Sequence, residues 1–213
     1  MNKKLLAFFI LYTFHFLLSA QAQTVTIGKQ VWMSENLNVE KFRNGDAIPE
    51  AKTAEEWKKA GEEGKPAWCY YENRSIQDDP ENGEKYGKLY NWYAVNDPRG
   101  LAPKGWHIPS DDEWTILANF LGGAKVAGDK MQSKTGWNDG GNGSNSSGLS
   151  GLPGGNRYYH GPFTNIGLYG FWWSSTEDNT SNAWLRFLSY NNGSVGRYSS
   201  GKPNGFSVRC VRD

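Results

Sequence analysis

The sequence predicts an α+β domain, with short helices in its first half and antiparallel strands in its second. Three observations point to this. Two Ser/Thr-x-x-Glu capping boxes occur early, at Thr53–Glu56 and Ser110–Glu113. Three β-rich runs follow residue 169, at 170–177, 182–190 and 204–213. The chain has 10 Trp, 11 Tyr and 10 Phe beside 26 Gly, with few aliphatic residues. Its core must therefore be built from aromatic side chains, and its glycines mark turns and irregular loops.

Residues 1–22 read as an export signal. Lys3 and Lys4 precede an apolar run from Leu5 to Leu18, and Ala20-Gln21-Ala22 supplies a small-residue cleavage end. The run is short for a transmembrane span. The alternative is an uncleaved anchor helix. Removing the leader takes away two lysines and turns a formal charge of +1 into −1. A near-neutral chain offers no electrostatic case for nucleic acid or an anionic membrane, and no transmembrane segment is expected in the mature chain. Residues 23–213 are long enough for one domain with a full core.

The elements follow in order. Residues 24–37 alternate apolar and polar around Gly28-Lys29, a hairpin pattern. Thr53 and Glu56 start a helix that turns Trp57 and Ala60 to one side and ends near Gly61. Ala67–Tyr71 is a short β-rich run, and 78–87 is a polar turn. "LYNWYAV" (89–95) is apolar on most sides, so periodicity alone does not assign it.

"GWHIPSDDEW" (105–114) gathers one His and three acids, which raises a metal or acid–base reading. Helix initiation accounts for every acid. Ser110 and Glu113 have capping-box spacing, and Asp111, Asp112 and Glu113 fall where the helix dipole favours negative charge. Trp114, Leu117, Ala118 and Leu121 then form a buried stripe, and Gly122-Gly123 ends it. His107 reads as a hydrogen-bonded structural group. Residues 135–155 form a long loop ending in a strand-like Leu149–Leu152 run, and 191–202 is a polar hairpin or loop between the last two strands.

Two cysteines survive export. Outside the cytoplasm they are expected to form one Cys69–Cys210 disulfide, worth roughly 4–5 kcal/mol in the chain-entropy limit. The alternative is two buried thiols.

"VWMSENL", "GKLYNWYAV", "LAPKGWHIPSDDEW", "GLPGG", "GFWWSSTE" and "GFSVRCVRD" together resemble the Fibrobacter succinogenes major paralogous domain family over about residues 24–213. That family is related to formylglycine-generating enzymes and, more distantly, to C-type lectin-like domains. The resemblance implies a C-type lectin-like fold, with two main helices packed on twisted antiparallel strands and with adjacent N- and C-terminal strands. It makes "LYNWYAV" the first main helix and "SDDEWTILANFL" the second. The oxidase site of the enzyme branch needs two close cysteines; Cys210 resembles the structural one and has no neighbour in sequence. Trp137-Asn138-Asp139 mimics a calcium-ligating tripeptide of sugar-binding lectins, but lies far from Cys210 and lacks the companion motif. No cofactor or catalytic metal is expected; a structural calcium ion near 78–84 stays open.

The functional expectation is a secreted, surface or periplasmic binding module, not an enzyme, for a protein or glycan ligand. Its contact surface is expected on the C-terminal hairpin, from Arg186, Ser189, Tyr190, Asn191, Asn192, Arg197, Tyr198, Ser199 and Asn204. Tyr, Ser and Asn make adaptable contacts at low entropic cost. An ordinary solvated hairpin is the bland alternative. A divergent enzyme of the formylglycine-generating type and a self-assembling surface protein are the competing functions.

Overall fold

A computed structural model describes residues 23–74 and 85–213. The leader and the 78–84 turn therefore lie outside the described residues.

The N-terminal run folds as the expected hairpin, β1 (Thr24–Ile27) and β2 (Gln30–Met33), turning at Gly28 with φ +62°. β2 then pairs with β11 (Val211–Arg212), which pairs with β5 (Trp106–His107), giving the order β1-β2-β11-β5. The first and last described strands thus share one sheet, as the resemblance implied. A second sheet carries β10 (Asn192–Gly201), β9 (Asn182–Ser189), β8 (Tyr169–Glu177), β6 (Gly154–Arg157) and β7 (Phe163–Ile166), in that order. It is antiparallel except where β6 meets β8. β3 (Trp68–Cys69) and β4 (Leu89–Tyr90) form a short ribbon.

Both capping boxes are present. Thr53 Oγ1 accepts from Glu56 N, and Glu56 returns to the Thr53 backbone, starting α1 (Ala54–Glu62). "LYNWYAV", however, is not a main helix. It gives β4 and then the one-turn α2 (Trp92–Val95). The Leu89 and Tyr90 backbones are committed to β3 and to Phe206, Asn91 caps the turn by accepting from Ala94 N, and Pro98 biases Asp97 away from helix. Ser110 and Glu113 start α3 (Asp111–Phe120) as expected.

The second helix on the large sheet is instead α4 (Ala124–Met131). It has no side-chain cap and carries Gly128 in mid-helix, so its sequence signal is weak. Gly128 is there for contact: a Cβ on it would lie 2.2 Å from Ser194 O of β10. β10 settles the hairpin or loop expected at 191–202 as the return strand of a β9–β10 hairpin. Its polar sequence lacks alternation, and pairing with β9 makes it a strand. The Leu149–Leu152 run makes one bridge, Gln132 to Gly151, before the strand begins at Gly154. Residues 204–213 form single bridges to Tyr90, Arg157 and Trp172, with regular pairing confined to β11.

The core is aromatic. Trp172 and Trp173 are consecutive on β8 and therefore face opposite sides of the sheet. Trp172 joins Trp114 and Trp32 against α3, with ring centroids 6.4 and 4.7 Å apart along the row. Trp173 packs edge-on against Phe206 at 4.7 Å in the other cluster. Trp57 and Cys69 lie in a third cluster under α1.

The expected disulfide is not formed. Cys69 and Cys210 are free thiols, each almost fully buried in a separate cluster. Burial pushes both thiol pKa values up to about 12, so neither is a reactive thiolate at neutral pH. Aromatic packing, not a cross-link, holds the two strands.

Candidate functional site

Two places have the residues for chemistry, the His107 cluster and a cleft on the large sheet. In the first, His107 sits between two carboxylates, with Nε2 2.7 Å from Glu113 Oε1 and Nδ1 2.8 Å from Asp213 Oδ1. Glu113 Oε2 meanwhile accepts from the Ser110 N–H and hydroxyl. Asp111 Oδ1 accepts from Arg186 and Oδ2 from Arg197. Every one of these groups is engaged, and both imidazole nitrogens are occupied. The arrangement staples Asp213 to the start of α3. Sequence reading explained the acids but missed Asp213 as a partner, because it is 106 residues away.

The staple titrates. Burial pulls the His107 pKa down, but the hydrogen bonds to Glu113 and Asp213 outweigh it, so the net shift is upward from 6.5. Burial pushes Glu113 up, but the bonds from Ser110 and His107 outweigh it, so its net shift is downward from 4.5. A raised histidine stabilises fully below its unfolded pKa and loses that contribution as pH rises through the folded one. A depressed carboxylate stabilises above its unfolded pKa and loses it as pH falls. The contribution is therefore greatest between about 4.5 and 6.5. Because His107 is 40% exposed, solvent screening holds it to about 1 kcal/mol or less. A thermal-midpoint scan against pH should fall on the alkaline side in the wild type, and His107→Gln should flatten that fall. A variant with the wild-type profile would show that the staple contributes nothing.

The second place is a cleft of about 460 Å³ on the face of the large sheet opposite α3. Its floor is Phe171 of β8, Leu185 of β9 and Phe206. One wall is the turn after β6. Arg157 pairs with Gly205 in both directions, and Gly161 N donates to Tyr158 O, which closes the turn and projects Tyr158 and Tyr159 outward. Tyr159 N donates to Asn204 Oδ1, and Asn204 Nδ2 donates to Ser200 Oγ, which ties this wall to β10. The other wall is β10 itself, with Tyr198.

Tyr158, Tyr159 and Tyr198 are 41%, 56% and 61% exposed. Such exposure is costly for large rings unless something covers them. Among the described residues no charged side chain lines the cleft; its polar groups are amides and hydroxyls. Asn156 Oδ1 accepts from Asn165 and Thr164, which orients its Nδ2. Among the described residues, Asn156 Nδ2, the Asn182 amide and the Tyr158 and Tyr198 hydroxyls have no hydrogen-bond partner. A ring face beside free amides is suited to a ligand with both C–H faces and hydroxyls.

The nine expected contact residues divide among three places. Tyr198, Ser199 and Asn204 line the cleft. Of these only Tyr198 is free, because Ser199 Oγ donates to Asp178 and Asn204 is committed on both amide atoms. Tyr190, Asn191 and Asn192 form the hairpin tip, where Ser189 Oγ donates to Asn191 and Tyr190 packs against the α3 cluster. Arg186 and Ser189 are buried, which corrects their expected exposure. Arg186 Nη2 donates to Asp111 O and Oδ1 and to Thr115 Oγ1, so it anchors β9 to α3. Arg197 lies on that same face, 3.3 Å from the Trp184 ring centroid. Sequence reading missed Asn156, Tyr158, Asn165, Phe171 and Asn182. The one available signal was Tyr158-Tyr159-His160, three rings between glycine-bounded strands.

Trp137 of the lectin-like tripeptide is a core residue whose Nε1 donates to Ser133 Oγ. Among the described residues no three His, Cys, Asp or Glu side chains gather to hold a metal ion. No helix among them is long and apolar enough to cross a membrane.

The architecture is thus a mixed helix-and-sheet domain with mostly antiparallel sheets and an uncharged aromatic cleft. The chain belongs to the Fibrobacter succinogenes major domain family, whose model matches residues 25–212. No curated protein and no solved structure matches it.

Proposed function

We propose that the protein is an exported, non-catalytic binding module that takes a neutral saccharide in the tyrosine cleft. The observation behind this reading is the convergence of two exposed tyrosines, Tyr158 and Tyr198, and uncommitted amides on one cleft whose described lining carries no charge. Sugar C–H faces stack on aromatic rings while amides take the hydroxyls, and burying neutral groups there carries no ion-desolvation cost. The size falls within the roughly 300–1,000 Å³ usual for small-molecule sites. Without an acid or base in its lining, the cleft has no group to run hydrolysis. Export rests on the leader at residues 1–22. The C-type lectin-like reading of the fold is supported by the β2–β11 pairing and by two helices, α3 and α4, packed on the antiparallel sheet.

A neutral-glycan array followed by calorimetry tests this. Tyr198→Ala and Tyr158→Ala should each weaken the best ligand about tenfold or more, since stacked rings contribute on the order of 1–3 kcal/mol. The thermal midpoint should not change, as both rings are exposed. Affinity should also be flat between about 0.05 and 0.5 M salt. Retention of no neutral glycan, or retention indifferent to both tyrosines, would discard the reading.

A further inference from the structure

A second cavity, about 490 Å³, shares no residue with the tyrosine cleft. It lies against the segment after β2 and the loop that follows α4. Its chemistry is the reverse of the first. Among the described residues no aromatic ring lines it, and Lys85, Lys134 and Glu35 carry charge among hydroxyls and amides. Among the described residues neither lysine is in an ion pair. Both line this one cavity, and Lys85 Nζ lies beside Gly136, where a Cβ would be 3.6 Å from it.

Two buried cations stand behind the lining. Arg209 donates from Nε and Nη2 to Asn36 Oδ1 at 3.2 and 2.9 Å, and from Nη1 to the carbonyls of Met33 and Leu149. It has no carboxylate partner among the described residues. Burial lowers its pKa to about 9, and Cys210 and Glu35 hold it up against that. Lys88 Nζ donates to Asn38 Oδ1 and Tyr70 Oη, both at 2.7 Å, and lies 4.4 Å from the Trp68 and Tyr70 ring centroids. Its ion-pair partner is the exposed Glu40, at 3.3 Å. The Oδ1 atoms of Asn36 and Asn38 are thus held by cations from below. That leaves Asn38 Nδ2 as a donor at the cavity surface. Low dielectric beneath the lining lets the buried charges project into the cavity.

We infer that this cavity binds an acidic saccharide unit, with its anionic group held by Lys85 and Lys134 and its hydroxyls held by the Ser, Thr and Asn lining. Lysines on the rim and cations below favour an anion. A lining of hydroxyls and amides without rings favours a polyol recognised edge-on, through hydrogen bonds. Among the described lining residues Glu35 is the group that opposes the anion.

Calorimetric and NMR titration of the full chain tests it with four probes: digalacturonate, a sulfated disaccharide, neutral digalactose and a triglutamate peptide. Digalacturonate or the sulfated sugar should bind, and the preferred one identifies the anion. Lys134→Ala should weaken that binding about tenfold, Glu35→Gln should tighten it, and salt from about 0.05 to 0.5 M should weaken it. Tyr198→Ala should leave it unchanged, so this site and the tyrosine cleft succeed or fail separately. Lys134 is exposed, so its replacement should leave the thermal midpoint unchanged. Absence of saturable binding by both acidic sugars would overturn the inference. So would equal binding of digalactose or triglutamate, or indifference to Lys134→Ala.

Discussion

Replacing Arg157 with Met should cost about 4 kcal/mol of stability and loosen the tyrosine turn. The guanidinium is 1% exposed and reaches three carbonyls: Ala51 at 2.7 Å, Thr53 at 2.8 Å and Gly161 at 3.0 Å. Thr53 O keeps a second donor, Trp57 N. Ala51 O and Gly161 O do not, and each orphaned buried acceptor costs about 1–3 kcal/mol. The cation also lies 4.9 Å from the Trp57 ring centroid and 4.6 Å from that of Phe163, which adds about 0.5–2 kcal/mol. Arg157→Lys should recover only part of the loss, because an ammonium cannot span acceptors set for a planar fork. Urea melts of both variants measure this. Because Gly161 closes the Tyr158–Tyr159 turn, the Met variant should also lose ligand affinity under conditions where it is still folded. A Met variant as stable as the wild type would mean that water replaces the guanidinium at those carbonyls.

Trp173→Ala should cost about 3–5 kcal/mol, the range for emptying an aromatic site in a packed core. Trp173 is fully buried, meets Phe206 edge-on and donates from Nε1 to Tyr90 O at 2.9 Å. Phe206 is part of the cleft floor, so the cavity opens directly under the binding surface. Trp173→Phe should lose less, keeping most of the volume and forfeiting the hydrogen bond. Denaturant midpoints for the pair measure the difference. A loss under about 1 kcal/mol for the Ala variant would show that neighbouring rings collapse into the space.

The legible parts of this fold are local. α1 and α3 each begin with a capping box, and their apolar stripes lie within a few residues, so a short window contains the whole signal. The β1–β2 hairpin is similar, with its turn at Gly28. α4 was illegible because its decisive residue, Gly128, is chosen by a strand some 65 residues away. β10 was illegible because its strand character comes from β9, not from its own composition. Arg186 was read as a contact because nothing in "NAWLRFLSY" says which face it takes. Asp111, 75 residues distant, decides that it turns inward. The tyrosine cleft draws on four separated stretches and contains no motif, so only Tyr198, Ser199 and Asn204 were anticipated.

Composition alone determined that rings would fill the interior, since that depends on totals. Family membership was likewise legible from the Trp-rich segments, and the match over residues 25–212 agrees. Tertiary structure alone decided that the two thiols stay apart, that His107 is held by Asp213, and that Tyr158 and Tyr198 flank one hollow. Each of those is a juxtaposition of residues distant in sequence. Burial and hydrogen-bond satisfaction select such juxtapositions over the whole chain at once, and no local window contains them.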